Sequence, residues 1–282
     1  LTQIKAIQPY PAILLQEKKN RTLVVSDIHI GWERLLIHKG VHIPSQTGKI
    51  KNLLLKLIKE TEPKQLIILG DIKDAITNVS MQERKDISEF FKNTQKNISD
   101  IQVVLGNHDG NLDLILPESI TIIPATGTNI GDVGLFHGHA WPSPKLLECK
   151  SLVSGHIHPT ITILDPMGFR MTKQVFIKAP CNSKKLAKSL LKHFGTKTIN
   201  NVSNVLFESF KVELKVSQLF IMPSFNQFLG GRPINLKKRH IKKTDEFNDP
   251  ILRSGCVNLD NGEVYLLDGT FLGTVEQLKA IS

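Results

Sequence analysis

The chain has 282 residues, of which 40% are hydrophobic and 22% charged. That is enough for one large or two small globular domains whose core needs no disulfide staples. Three scattered cysteines without a CxxC pair argue against a disulfide framework and a structural zinc knot, and suit a reducing cytoplasm. No run approaches the roughly 18 apolar residues of a membrane span. Leu1–Leu15 also lacks the basic head and long apolar run of a secretory leader.

From the N-terminal side, short apolar runs predict strands at Leu23–Val25, Leu66–Leu69, Val103–Leu105, Val133–Phe136 and Leu152–Ser154. Between them Ile50–Ile58 and Val79–Phe91 carry helical spacing. Alternating strands and helices predict a layered α/β fold over residues 1–175. Residues 176–282 read as a basic segment and C-terminal strands that complete or cap the same domain. In them Lys184–Phe194 predicts a basic helix, and Phe210–Val216 alternates at period two and predicts a strand. Leu219–Met222 predicts another. Glu263–Leu267 and Thr270–Gly273 predict a hairpin around Asp268-Gly269.

Charge is uneven. The net is +10, and residues 176–250 alone hold 14 basic against 5 acidic residues. A solvated surface and an electrostatic footprint for DNA or RNA both fit, and charge by itself leans to the first.

The chemistry sits where the strands end. Asp27-Ile28-His29 follows the first, Gly70-Asp71-Ile72-Lys73-Asp74 the second and Gly106-Asn107-His108-Asp109 the third. His137-Gly138-His139 and Gly155-His156-Ile157-His158 follow the fourth and fifth. Loops beyond the carboxyl ends of strands form the binding crevice of an open α/β sheet. Carboxylate, imidazole and amide donors suit Mn, Fe, Zn, Co or Ni. Seven donors are too many for one ion. A shared carboxylate with about three further donors on each side is the natural partition, and two ions so held clamp an in-line attack at phosphorus.

These motifs resemble the calcineurin-like metallophosphoesterase superfamily, whose pattern is DxH, GDxx(D/H), GNH(D/E), a lone His and GHxH. The resemblance covers about residues 23–160. It implies a four-layer αββα sandwich of two mixed sheets, extended here by the basic C-terminal part. It further implies two divalent ions, manganese first. Asp27, His29 and His158 would hold one, Asn107, His137 and His156 the other, and Asp71 would bridge them. In such enzymes a hydroxide between the ions attacks phosphorus. His108 would then act at the leaving group, with Asp74 or Asp109 orienting its ring. Met222-Pro223-Ser224-Phe225-Asn226 and Gly230-Gly231-Arg232-Pro233 resemble an element of archaeal ICC-like phosphoesterases, which are similar to DNA ligase-associated ones. Relatives there carry His at the place of Asp74, which leaves the partner of His108 open. Asn107, His108 and Arg232 are candidate substrate contacts. The Gly pair fits a close backbone approach or a plain turn.

The expected function is dimetal-dependent hydrolysis of a phosphodiester in nucleic acid or a nucleotide. The alternatives are a phosphomonoesterase or small-nucleotide hydrolase, and a protein-binding scaffold with a weak site. A helicase or ligase partner is implied by the resemblance alone, and no membrane contact is expected.

Overall fold

Leu23 and Val25 face one side of a strand and Val24 the other, because successive side chains alternate across a pleat. The structure, a computed structural model that describes residues 1–37, 39–165, 167–196, 201–236 and 249–280, turns this alternation into layers. Among the described residues, a first sheet holds β1 (Gln3–Ala6), β2 (Ile13–Glu17), β3 (Asn20–Ser26), β4 (Gln65–Leu69), β5 (Asp100–Val104) and β6 (Thr121–Ile123), in that spatial order. β1 to β3 run antiparallel, and β3 to β6 parallel.

The second sheet holds β7 (Thr128–Ile130), β8 (Val133–Leu135), β9 (Ser151–Ser154), β10 (Pro159–Leu164), β11 (Arg170–Pro180), β12 (Gln218–Ile221), β13 (Arg232–Pro233), β14 (Glu263–Leu266) and β15 (Phe271–Thr274). β8, β9 and β12 lie side by side in parallel. β11 is their antiparallel continuation and also pairs β10 and β14.

The helices are α1 (Glu33–Ile37), α2 (Thr47–Thr61), α3 (Met81–Gln95), α4 (Ser183–His193), α5 (Val202–Phe210), α6 (Pro250–Ser254) and α7 (Val275–Ala280). Three buried clusters give the layer order. Leu23, Val25, Leu66 and Ile68 pack under Leu54 and Leu57 of α2 and Ile87, Phe90 and Phe91 of α3. Val24, Ile67, Leu69 and Val104 meet Val133, Leu135, Val153 and Phe176 between the sheets. Leu152, Ile177, Leu219 and Ile221 pack under Leu186, Leu190 and Leu191 of α4, Leu206 of α5 and Leu278 of α7. Each fully buried Leu, Ile or Val contributes about 1.5–3 kcal/mol relative to exposure. The order is helix, sheet, sheet, helix, as the resemblance implied.

Residues beyond 175 are woven into this sandwich rather than attached to it. They supply the rest of β11, β12 to β15 and the helices over the second sheet, so the point between residues 175 and 176 falls inside β11. The predicted strand at Phe210–Val216 does not form. Val212 and Val216 are buried in alternation, but no ladder receives them. The amides of Lys215 and Val216 go to the Leu147 carbonyl at 2.9 and 3.3 Å, and that of Glu213 to the Glu148 carboxylate. The four basic lysines of α4 lie on its solvated face. The second basic run, Lys237–Lys243, lies outside the described residues.

Candidate metal centre

The site lies at the seam of the two sheets. The first sheet delivers Asp27 and His29 beyond β3, Asp71 and Asp74 beyond β4, and Asn107, His108 and Asp109 beyond β5. The second delivers His137 beyond β8, and His156 and His158 between β9 and β10. Asp27, His29 and His158 form one group whose donor atoms all lie within 4.8 Å of one another, and Asp71, His137 and His156 form another. One oxygen of Asp71 lies 3.4 Å from His29 Nε2 and 3.3 Å from His137 Nε2, so this carboxylate stands between the two groups. Asn107 Oδ1 reaches His137 Nε2 at 3.2 Å. All seven side chains picked from the motifs are thereby brought together.

The donor set fits divalent cations on geometry as well as chemistry. His29 Nε2 and His158 Nε2 are buried and make no hydrogen bond. Yet each sits 3.4 or 3.1 Å from a carboxylate oxygen, of Asp71 and Asp27 respectively. Atoms so close without hydrogen-bond alignment are arranged around a common point rather than toward each other. The outer nitrogens fix the rings. His137 Nδ1 meets the Leu69 carbonyl at 2.7 Å, and His29 Nδ1 meets Asp74 Oδ1 at 3.1 Å. Such partners orient a ligating imidazole and set its tautomer.

In the protein by itself the charges compensate one another. Burial pushes His137 down, but Asp71 and Asp27 outweigh it and raise the imidazole to about 9. Burial would raise Asp27 and Asp71, but the facing imidazoles hold both below the usual carboxylate range. Burial, followed by the charge on His137, lowers His139 and His156 to about 4.

The backbone is bent to make this convergence. Asp27, His29, Asp71, His156 and His158 all have positive φ, between 44° and 71°, a region that non-glycine residues enter at a cost of about 1–3 kcal/mol each. The loops are zipped together past the strand ends, with His29 N donating to Asp71 O at 2.8 Å and Ile30 N to Ile72 O at 2.8 Å. Three motif glycines give clearance, and a Cβ on Gly106 would meet Asp71 Oδ1 at 2.2 Å. A Cβ on Gly155 would meet Asp27 Oδ2 at 2.5 Å, and one on Gly70, itself at φ 72°, would meet His137 Nδ1 at 2.5 Å.

A calcineurin-like phosphoesterase family model matches residues 20–229. The chain belongs to the calcineurin-like phosphoesterases. Membership in the calcineurin-like phosphoesterases implies a metal-dependent hydrolase. No curated protein matches the chain. Among solved structures it is similar to the Pseudomonas putida nuclease MPE, at 19% identity and a TM-score of 0.52 over 96% of this chain and all of that one. The phosphoesterase YfcE of E. coli aligns at 21% identity and a TM-score of 0.33, over 51% of this chain and 73% of that one.

Against this family's pattern the residues around His108 divide in an unexpected way. Neither candidate carboxylate orients its ring. Asp74 spends its carboxylate on His29, and it is the Asp74 backbone carbonyl that His108 Nδ1 meets, at 2.5 Å. Asp109 accepts from the amides of Gly106 and Ile72, both at 2.8 Å, and so ties two motif loops together. The motif reading assigned nothing to Lys73. It is fully buried, and its ammonium donates to the carbonyls of Ala75, Ile76 and His108.

The Met222–Asn226 segment lies behind the metal loop. Ser224 Oγ donates to Asp27 O at 2.7 Å, Phe225 N to Ser26 O at 2.7 Å, and Asn226 Nδ2 to Ile28 O at 3.0 Å. Gly231 is the close approach of the Gly pair, since a Cβ there would meet Thr160 Cγ2 at 2.1 Å and the His158 carbonyl oxygen at 2.5 Å, whereas a Cβ on Gly230 would stand in open space. Arg232 donates its amide to the His158 carbonyl at 2.8 Å, which places it beside the site.

Proposed function

We propose that the chain is a dimetal phosphodiesterase acting on nucleic acid or nucleotides, with Asp71 bridging the two ions. Manganese is our first choice of metal. The observation that carries this reading is the meeting of two donor groups around the Asp71 carboxylate with an exposed Asn107 and a half-buried His108 at their rim. Bound divalent ions lower the pKa of water and neutralise phosphoryl oxygens. The chain's own residues supply the rest. Asp27, His29 and His158 would hold one ion, and Asn107, His137 and His156 the other. Asp74 and the Leu69 carbonyl keep the His29 and His137 rings turned to their work.

His108 is our candidate general acid. A carbonyl only accepts, so the bond to Asp74 O places a proton on His108 Nδ1 and leaves Nε2 for a leaving group. A cavity of about 570 Å³ opens beside it, lined by His108, Asp74, Arg34, Leu35, Ile76 and Asn78. Such a space accommodates an ester's leaving group beside the His108 ring. The basic segment 176–250 supports a polyanionic substrate, as does the likeness in fold to the nuclease MPE. A helicase or ligase partner, and a place near the ICC-like branch, are further expectations from the Met222–Asn226 and Gly230–Pro233 elements.

The test is Mn²⁺-dependent hydrolysis of bis-p-nitrophenyl phosphate beside p-nitrophenyl phosphate, with Asp71→Asn as the blank. We expect preference for the diester, lost in the blank. His108→Ala is expected to keep its metals while kcat falls about 100-fold or more on an ester with a poor leaving group. Preference for the monoester would replace this reading with a phosphomonoesterase.

A further inference from the structure

Trp32 and Phe228 come from two distant segments and meet beside the metal loop. The Trp32 amide donates to the His29 carbonyl at 3.3 Å, which seats Trp32 one turn from a candidate metal ligand. The Phe228 amide donates to Asn226 Oδ1 at 3.1 Å, and Asn226 holds the Ile28 carbonyl. Both rings are therefore anchored to the backbone that carries Asp27 and His29. They lie nearly parallel, 10° apart with centroids at 6.0 Å. The Lys49 ammonium sits 5.4 Å from the Phe228 centroid.

Trp32 is half-buried, with its Nε1 buried and making no hydrogen bond. Neither ring joins any of the three buried clusters, and Phe228 is 44% exposed. A half-exposed aromatic pair with a cation over one of its rings is a surface that an unpaired base packs against, and the cation adds attraction for its phosphate.

We propose that Trp32 and Phe228 form a stacking site for a base adjoining the scissile phosphate. The inference rests on the phosphodiesterase reading and narrows its substrate to a nucleotide or a strand that presents an unpaired base. The site discriminates between esters of equal phosphorus chemistry: the one that carries a nucleoside is favoured through KM, and kcat is set elsewhere.

The experiment compares the p-nitrophenyl ester of thymidine 5′-phosphate with methyl p-nitrophenyl phosphate in the full-length metal-loaded protein. The reading is the ratio of their KM values in wild type, Trp32→Ala, Phe228→Ala and Trp32→Phe. We expect the ratio to move about tenfold against the nucleoside ester in either alanine variant, and Trp32→Phe to restore most of it. An unchanged ratio overturns the stacking site and leaves the phosphodiesterase reading standing. Failure of the wild type on both esters overturns the phosphodiesterase reading instead. The stacking site is then decided by the affinity of a labelled oligothymidylate. A tenfold weaker complex with Trp32→Ala supports it, and equal affinity overturns it.

Discussion

Lys73 places an ammonium in a fully buried position and satisfies it with three backbone carbonyls, those of Ala75, Ile76 and His108. Burial pushes its pKa down. Charge-assisted bonds of this kind are the strong ones, and each holds a loop that would otherwise be free to move. Through them Lys73 fixes the 74–76 loop, whose Asp74 carbonyl holds the His108 ring. It is a positioning residue for the proposed acid. Lys73→Met keeps the length and loses the bonds. It is expected to lower kcat about tenfold on an alkyl leaving group, much less on p-nitrophenolate, and to leave metal content and KM near wild type. Metal analysis beside the two kcat values checks this. A loss equal on both leaving groups would mean that the loop serves the metals instead. The motif showed His108 but hid Lys73, because a lysine at an unspecified motif position is read as solvated surface.

At the scale of elements, the strands that lead into the site and the β14–β15 hairpin were legible, whereas the interior strand β11 and several short edge strands were not. β3, β4, β5, β8 and β9 are continuous apolar runs because both faces are covered, and each breaks off at a polar cluster. β1, β7 and β13 are short, exposed or half-buried, and leave little pattern. Phe210–Val216 shows the converse, since alternation in the sequence records burial and says nothing about whether a neighbouring strand is there to pair. The Met222–Asn226 segment was visible as a motif, but its work was not. Asn226 is fully buried and donates to the Ile28 carbonyl while it accepts from Phe228. Asn226→Ala leaves both groups unpaired, which costs about 1–3 kcal/mol for each that stays buried. The expected outcome is a lower Tm together with weaker metal binding, since the lost bond is to the Asp27–His29 backbone. Isothermal titration with Mn²⁺ measures the second part. Unchanged affinity with a lower Tm would make the segment a structural prop only.

For the whole molecule, the centre acts as a clamp between two sheets. Asp27 faces His158 at 3.1 Å and Asp71 faces His137 at 3.3 Å, so two of the charge contacts at the centre cross the seam. Ions bound there join loops from both sheets, and a ligand that binds only the folded chain stabilises it by mass action. Without ions, protonated imidazoles take over part of that task. His137 is raised to about 9, above its ordinary value near 6.5. A group raised on folding contributes stability that is complete below about pH 6.5 and is lost as pH rises through about 9. The metal-loaded protein moves the other way, because coordination needs a neutral imidazole and protons compete less as pH rises. Removing the metal with a chelator is therefore expected to lower Tm slightly at pH 6 and by several degrees more at pH 9, at about 2–4 °C per kcal/mol for a chain of this size. Thermal melts with and without chelator across that range measure the widening gap. A gap of constant width would mean that His137 is already neutral without metal, and that the facing carboxylates are balanced by some other charge.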